Sequence, residues 1–144
     1  LGPSARTDDF RDANRDGRAD LVVRTNGRIT DVILADVNGL FIRATGNASI
    51  EATWYGLRAA LDDNDPQSAL NFITLTRQNQ YGAAFQAAGS QLSGLTQKWS
   101  AFAAVRVVPA SFANYLITQT IDGVATDYMI TFIWENGRWV VAEL

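Results

Sequence analysis

The chain has 144 residues, 47% of them hydrophobic, with four Trp, four Tyr and seven Phe. That much apolar material can bury a core, which excludes a disordered or low-complexity polypeptide. The formal net charge is -3 and the basic residues are scattered, so the composition disfavours nucleic-acid binding. The lack of cysteine excludes disulfides, thiolate zinc sites and cysteine nucleophiles, and it leaves the redox compartment open.

No apolar run approaches the roughly 20 residues that a transmembrane helix needs, and no signal peptide is visible. The sequence therefore predicts no membrane span. Because the chain begins with Leu1 rather than Met, we expect a trimmed or mature product, with a signal sequence or further domains as candidates for what precedes it.

Short strands joined by tight turns are predicted in the first segment, to about residue 46. The runs LVVRT and RITDVILAD are separated by Asn26-Gly27, the dipeptide best suited to a type I′ hairpin, and a turn at Asn38-Gly39 leads to LFIRAT. The pattern predicts a three-stranded antiparallel meander over roughly residues 21–25, 28–35 and 40–45. Because such a meander has open edges, it must pack on other elements, and an edge is able to pair with a protein partner or a second copy.

The apolar spacing changes to about 3.6 from Ala48 onwards. One face of a predicted helix then carries Ile50, Trp54, Leu57 and Leu61. We expect Ser49 or Asn47 to cap this helix and Glu51 to lie in its first turn.

Further helices follow before the chain returns to strands. Asp65-Pro66 supplies an N-cap and a proline at the first helical position, which predicts a short helix through Ile73. A third helical stretch from Tyr81 to Ala88 stops near Gly89, and QLSGLTQKW adds a last turn or two.

A period of two after Ser100 predicts the strands AFAAVRVVP, FANYLITQTI, VATDYMITFIW and RWVVAEL. A proline-containing corner, Asp122-Gly123 and Glu135-Asn136-Gly137 join them. This order of elements is typical of an α+β fold. We place a boundary near Gly46, between an N-terminal part (1–46) and a second part (47–144).

One stretch of the N-terminal part, DANRDGRADLVV at residues 12–23, has the spacing of a calcium loop. Oxygen donors stand at alternate positions from Asp12, and Gly17 stands where such a loop turns sharply. A hard cation would gather these oxygens and offset the repulsion among three carboxylates. The predicted calcium ligands are Asp12, Asn14, Asp16, the Arg18 carbonyl and Asp20. The alternative of an Asx-rich turn that holds itself together and binds nothing stays open.

An EF-hand needs a glutamate at the twelfth position and flanking helices, whereas this loop has Val23 there and leads into a hairpin. Over about residues 8–43, the chain instead resembles an FG-GAP (VCBS-type) repeat, the calcium-binding blade of integrin-like β-propellers. The resemblance implies the same five ligands. Only one repeat is present, so it implies a solitary or terminal blade. A second acidic cluster, DDNDP at residues 62–66, is a weaker metal candidate.

About residues 48–144 resemble the NTF2-like superfamily. The matching features are LDDNDPQSALNFIT, the aromatic QYGAAF helix and the closing DYMITFIWENGRWVVAEL. The resemblance implies helices packed into the concave face of a curved antiparallel sheet, forming a cone. Enzymes of this superfamily usually place an aspartate or histidine base and a tyrosine donor inside the cone, and this chain has no histidine.

Few residues fit such a pocket. The acidic candidates on the sheet are Asp127 and Glu143, and the tyrosine candidates are Tyr55, Tyr81, Tyr115 and Tyr128. For Asp127 a solvated position competes with a role as base, and core packing competes with substrate recognition for the tyrosines and for Trp54, Trp99, Trp134 and Trp139. Arg58 and Arg106 either hold an anion in the cone or cover the edge of the core with their stems.

The leading hypothesis is a non-enzymatic bacterial calcium-binding protein or accessory module, extracellular or in the cell envelope, in which calcium has a structural role. The competing hypothesis is a small-molecule binding protein or enzyme that uses the cone as its pocket. A deep cavity with a carboxylate facing a tyrosine would favour the second, and a cone filled by Trp and Phe would argue against it. A third hypothesis is an assembly module that pairs through an open sheet edge.

Overall fold

The computed structural model describes residues 5–41 and 46–144. Its strands are β1 (Arg6–Arg11), β2 (Asp20–Thr25), β3 (Arg28–Ile33), β4 (Trp99–Val108), β5 (Phe112–Ile121), β6 (Val124–Glu135) and β7 (Arg138–Glu143). Its helices are α1 (Asn47–Asp62), α2 (Pro66–Leu70), α3 (Gln78–Ala88) and α4 (Leu92–Thr96). The predicted α+β class is confirmed: one antiparallel sheet has the order β1–β2–β3, and the other has the order β4–β5–β6–β7.

The first sheet has three strands, but they are not the three that the sequence predicts. β2 and β3 correspond to the first two predicted strands, and Asn26-Gly27 joins them with φ values of 52° and 81°. The third strand is β1, which pairs with β2 along its length. Of the predicted strand at 40–45, Phe41 makes an isolated bridge with Ala35, and residues 42–45 lie outside the described part of the chain.

The strand that the prediction missed, β1, has the sequence RTDDFR and is mostly exposed. An edge strand of this kind needs no alternation of apolar and polar residues, so its pattern gives no strand signal. Its presence changes the place of the acidic loop. The loop joins β1 to β2, and it does not precede the first strand of the sheet.

The first helix buries the face that its spacing predicts, but the predicted caps are wrong. The N-cap is Gly46, with a φ of 59°, and Asn47 is already helical. Ser49 Oγ donates a hydrogen bond to the Gly46 carbonyl at 2.6 Å, and its oxygen accepts none from a helix N–H. Because the helix begins at Asn47, Glu51 lies beyond its first turn.

The predicted start of α2 is confirmed: its N-cap, Asp65, accepts a hydrogen bond from Ser68 N at 3.2 Å. The helix is shorter than predicted because the chain then turns and Ile73 forms a parallel bridge with Val141 of β7. α3 and α4 lie where the sequence places helical turns, and Gly89 ends α3 with a φ of 54°.

The four predicted C-terminal strands are confirmed as β4 to β7. The inner face of β5 carries three buried residues, Ala113, Tyr115 and Ile117. Residues 121–129, at the far end of the β5–β6 hairpin, are all exposed. That end of the sheet therefore extends past the elements that cover the rest of it.

The two sheets share one hydrophobic core. Ile29 and Val32 of the first sheet belong to the same buried cluster as Ile50 of α1 and Phe132 of β6. The boundary near Gly46 stays a prediction, and the parts of the chain on either side of it bury apolar surface together. Within residues 5–41 and 46–144, no helix is long and apolar enough to cross a membrane.

Ion pairs fasten the first sheet to the segment after α1. Arg11 donates to both oxygens of Asp63 at 2.7 and 3.0 Å, and Arg24 donates to Asp63 Oδ2 at 2.8 Å. Arg28 pairs with Asp65 at 2.7 Å. Burial pushes the pKa of Asp63 upward, but the hydrogen bonds from Arg11 and Arg24 outweigh it and hold that pKa below its ordinary value of 3.8.

Gly56 provides a test of the packing between α1 and the segment after α2. A Cβ at this position would stand 2.6 Å from Phe72 Cζ. We expect Gly56→Ala to lower the free energy of unfolding by about 1 to 3 kcal/mol through overpacking, although alanine favours a helix over glycine by about 1 kcal/mol. Chemical denaturation measures the change. Gly94→Ala in α4, where a Cβ meets nothing within 4 Å, is the control and should not destabilise; equal stability of Gly56→Ala and the parent would contradict the prediction.

The pH dependence of stability tests Asp63. Since its folded-state pKa lies below 3.8, its charged form stabilises the fold above that value, and the contribution is lost as the pH falls through the folded-state pKa. Asp63→Asn should lower the free energy of unfolding at neutral pH and flatten its decline below about pH 4. Denaturant titrations over this range measure both effects. Glu143→Gln removes an exposed carboxylate that pairs with Arg77 at 3.3 Å, and it should leave the acid slope unchanged; an unchanged slope in Asp63→Asn would refute the role of Asp63.

Candidate functional site

The acidic loop between β1 and β2 is curled around the side chain of Asp12. Asp12 Oδ1 accepts a hydrogen bond from Asp16 N at 3.0 Å, and Oδ2 accepts one from Gly17 N at 2.8 Å. Gly17 has a φ of 88°, a conformation that glycine adopts readily, and Arg15 has a φ of 60°. The turn that the glycine predicts is therefore formed at this position.

Two further predicted ligands, Asn14 and Asp16, contact each other on the exposed side of the loop. Asn14 Nδ2 donates to Asp16 Oδ2 at 3.1 Å, and Arg18 N donates to Asp16 Oδ1 at 2.8 Å. The Arg18 guanidinium also lies 2.9 Å from Asp16 Oδ2. The hydrogen bond from the Arg18 backbone is the main reason that the pKa of Asp16 lies below its ordinary value. Asp16 is therefore an ionised, partly neutralised carboxylate.

The last predicted ligand, Asp20, is fully buried. Its Oδ2 accepts hydrogen bonds from Ala13 N at 2.8 Å and Asn14 N at 3.4 Å, and its Oδ1 accepts one from Ala35 N at 2.9 Å. A buried carboxylate must have such partners, because an unpaired charge in the interior is strongly unfavourable. Asp20 thereby joins the start of the loop to the segment after β3.

Arg58 of α1 holds the same loop from the other side. Its Nη2 donates to the carbonyl oxygen of Ala13 at 2.7 Å, and its guanidinium lies 5.1 Å from the centre of the Tyr55 ring. Burial, followed by the nearby charge of Arg15, lowers the pKa of Arg58. The two predicted roles for this residue, anion binding and covering the core edge, are both replaced by an interior contact with the loop. The sequence contains a signal for this interior position, because Arg58 lies one helical turn after the buried Trp54.

The side chains and carbonyl groups of the loop have the chemistry that a hard cation needs, whereas the arrangement of its carboxylates does not form a complete metal site. Carboxylate, amide and carbonyl oxygens are the ligands that calcium prefers, and each oxygen of Asp12 keeps a second lone pair after its hydrogen bond. However, no group of three or more His, Cys, Asp or Glu side chains is arranged to hold a metal ion in the part of the chain that the structure describes. Two hydrogen bonds of the loop, from Asp16 N to Asn14 Oδ1 at 3.3 Å and from Arg18 N to Asp16 Oδ1 at 2.8 Å, have the two-residue spacing of an Asx turn.

The second acidic cluster, at residues 62–66, is engaged in other contacts. Asp63 and Asp65 are paired with arginines of the first sheet, and Asp62 accepts a hydrogen bond from the Thr96 hydroxyl. Asp65 also caps α2. These contacts give the cluster a role in joining α1 and α2 to their surroundings.

Aromatic rings fill the space between α1 and the inner face of the second sheet. Trp54 lies 5.2 Å from both Trp99 and Phe102, measured between ring centres, and Phe102 stacks on Tyr115 at 4.4 Å. Tyr115 is followed by Phe132 at 5.5 Å. An interior filled in this way by Trp and Phe argues against a substrate pocket inside a cone.

The candidate base, Asp127, does not face that interior. It lies in the exposed half of β6 and accepts a hydrogen bond from the Thr118 hydroxyl at 2.7 Å. Glu143 is exposed and pairs with Arg77, and Arg106 is exposed with its guanidinium 5.3 Å from the centre of the Phe112 ring. None of these three residues lies next to a tyrosine hydroxyl among the contacts of the described residues.

The four tyrosine candidates are in different surroundings. The Tyr81 hydroxyl accepts a hydrogen bond from Leu144 N at 3.0 Å, and Tyr128 is exposed. The buried Tyr115 hydroxyl has no hydrogen-bond partner within the described residues. Burial is the main reason that the pKa values of Tyr55 and Tyr115 are raised, with the charge of Glu51 second. The sequence predicts Glu51 only as a residue of the first helical turn, whereas burial raises its pKa and its charge acts on both tyrosines.

Comparison with known proteins gives no family for this chain. No protein-family model matches it, and no curated protein matches it. The likenesses to an FG-GAP repeat and to the NTF2-like superfamily therefore stay predictions from sequence.

Asp20 provides the sharpest test of how the loop is held. Asp20→Asn keeps the shape of the side chain but turns one acceptor into an N–H donor facing backbone N–H groups, so we expect a loss of about 2 to 4 kcal/mol in the free energy of unfolding. Chemical denaturation of the purified variant measures it. Asp36→Asn is the matched control, since Asp36 caps an exposed turn through Oδ1, which accepts from Asn38 N and Leu40 N at 2.8 and 2.9 Å. Equal losses in the two variants would contradict a special role for Asp20.

Proposed function

We propose that this chain is a non-enzymatic, exported calcium-binding protein or accessory module, in which calcium stabilises the loop between β1 and β2. The observation that carries the proposal is the curl of the loop around Asp12, which accepts hydrogen bonds from Asp16 N and Gly17 N. Hydrogen bonds thus connect the oxygen-bearing residues Asp12, Asn14 and Asp16 within one short loop. The proposed ligands are these three side chains and the carbonyl of Arg18, completed by water.

Asp20 has a supporting part in the proposed site. Its oxygens already accept hydrogen bonds from Ala13 N, Asn14 N and Ala35 N, and the residue is fully buried. It contributes to calcium binding by fixing the backbone that carries Asp12 and Asn14. The loop spacing also predicts Asp20 as the fifth ligand of the ion.

The charges around the loop favour a weak site. Three carboxylates in nine residues repel one another, and Arg18 offsets part of that repulsion by pairing with Asp16 at 2.9 Å. A calcium ion has to displace this guanidinium before it gains the carboxylate oxygen. Extracellular calcium modules have dissociation constants on the order of 10⁻⁴ to 10⁻³ M. This expected range supports an extracellular or periplasmic location, where calcium is plentiful.

The contacts of the loop support a structural role for the ion. Ala13 accepts a hydrogen bond from the buried Arg58, so the loop conformation is linked to the position of α1. An ion that binds only the folded loop raises the free energy of unfolding of the whole chain. No step of a reaction needs to be assigned to this site.

Thermal melting with calcium and with a chelator tests the proposal. At a hundred times its Kd, an ion that binds one site of the folded protein adds about 2.7 kcal/mol to the free energy of unfolding. In a chain of this size, each kcal/mol raises Tm by roughly 2 to 4 °C. Asp16→Ala should abolish the calcium-dependent shift. Magnesium, which dehydrates reluctantly, should give a smaller shift in the parent protein.

Asp36→Ala is the matched variant, because Asp36 also organises a turn of the N-terminal part but lies outside the proposed ligand set. It should keep the full calcium-dependent shift even if its Tm is lower. An equal Tm with calcium and with chelator in the parent protein would defeat the proposal, and so would an undiminished shift in Asp16→Ala.

A further inference from the structure

A cleft of about 600 Å³ lies where the first sheet meets the second part of the chain. Its walls are β3, the start of α1, the end of β4 and the turn between β6 and β7. The size is within the range of about 300 to 1,000 Å³ that is usual for small-molecule sites. This cleft is separate from the aromatic interior around Phe102, and it contains none of the proposed calcium ligands.

The exposed aromatic ring of Trp134 forms part of the apolar wall of the cleft. Trp134 is 41% exposed, whereas its neighbour Trp139 is buried, and the two rings meet edge to face with centres 5.6 Å apart. Phe72 and Pro109 continue the wall. A large ring with a solvent-exposed face in a concave site offers apolar contact to a ligand of matching shape.

The polar part of the cleft is rich in hydrogen-bond donors. Arg138 lines it, with its guanidinium 5.6 Å from the centre of the Phe72 ring, and within the described residues it has no carboxylate partner. Gly46 and Asn47 also line it, at the N-terminus of α1, where no side chain caps the helix. The Ser49 and Thr53 hydroxyls already donate to the carbonyls of Gly46 and Trp139. The Arg138 guanidinium and the N–H groups of the first turn of α1 remain as donors, and they suit a negatively charged acceptor.

One carboxylate, that of Asp31, also lines the cleft. Asp31 Oδ1 accepts a hydrogen bond from Val32 N at 2.8 Å, and the residue takes part in a further interaction. Because two carboxylates repel each other, a ligand carboxylate has to bind away from Asp31. A ligand anion is expected to bind beside Arg138, where the positive charge and the α1 N-terminus act together.

We infer that this cleft binds a small amphipathic carboxylate, whose apolar body lies against Trp134 and whose carboxylate is held by Arg138 and the first turn of α1. The apolar wall supplies contact area, and the guanidinium supplies charge-assisted hydrogen bonds that a neutral ligand of the same shape does not gain. The inference does not depend on calcium binding, because the two sites share no residue.

Calorimetric titration with phenylbutyrate and with phenylbutyramide tests the inference directly on the unmodified protein. The two probes have the same apolar body and differ in charge. We expect the carboxylate to bind roughly tenfold more tightly than the amide, as a charge-assisted hydrogen bond implies. Equal affinities, or no saturable binding of phenylbutyrate, would overturn the inference.

Two variants locate the bound probe. Arg138→Gln should remove the preference for the carboxylate and leave amide binding unchanged, whereas Trp134→Leu should weaken both probes. Arg106→Gln is the matched control, because Arg106 is likewise exposed and lies over an aromatic ring, that of Phe112, away from the cleft. A loss of preference in Arg106→Gln, or none in Arg138→Gln, would show that the anion binds elsewhere and overturn the assignment. Circular dichroism confirms that each variant is folded.

Discussion

The buried carboxylate of Asp20 is the interaction on which the N-terminal part of the structure depends. It accepts hydrogen bonds from Ala13 N and Asn14 N at the start of the loop and from Ala35 N beyond β3, at a position fully removed from solvent. A sheet of three strands has two open edges and depends on packing or further contacts for its stability. Because one side chain ties together segments before β2 and after β3, the small sheet gains cross-links that its backbone ladder does not provide.

That constraint extends into the rest of the protein through Ala13. Its N–H is held by Asp20, and its carbonyl accepts a hydrogen bond from Arg58 inside α1. Arg58 is only 7% exposed, so losing this bond would leave a charged group poorly paired in the interior. The ion pairs of Asp63 with Arg11 and Arg24 act just beyond Arg58, at the C-terminal end of the same helix. Polar contacts thus fix the position of the sheet, and the shared apolar core supplies most of the burial.

The sequence predicts the elements that have strong local signals and misses those set by distant contacts. Asp65 as a cap and Asn26-Gly27 as a hairpin turn follow from backbone chemistry within four residues, and both are present. β1 has no apolar alternation, because its place depends on pairing with β2 and not on a buried face of its own. In the loop, spacing predicts the turn at Gly17, whereas the contact with Arg58 depends on how α1 packs.

The proposed calcium loop and the cleft have separate residues but a common element, since β3 forms one wall of the cleft and leads into Ala35, which Asp20 holds. Two ligands that each bind only the folded protein both raise its free energy of unfolding, even if neither affects the affinity of the other. Coupling between them requires that β3 has two positions and that each ligand favours one of them. If it exists, it must be reciprocal: calcium would change carboxylate affinity by the same factor as the carboxylate changes calcium affinity. Because the shared core holds β3 and Asp20 holds the segment after it, we expect the two sites to act independently.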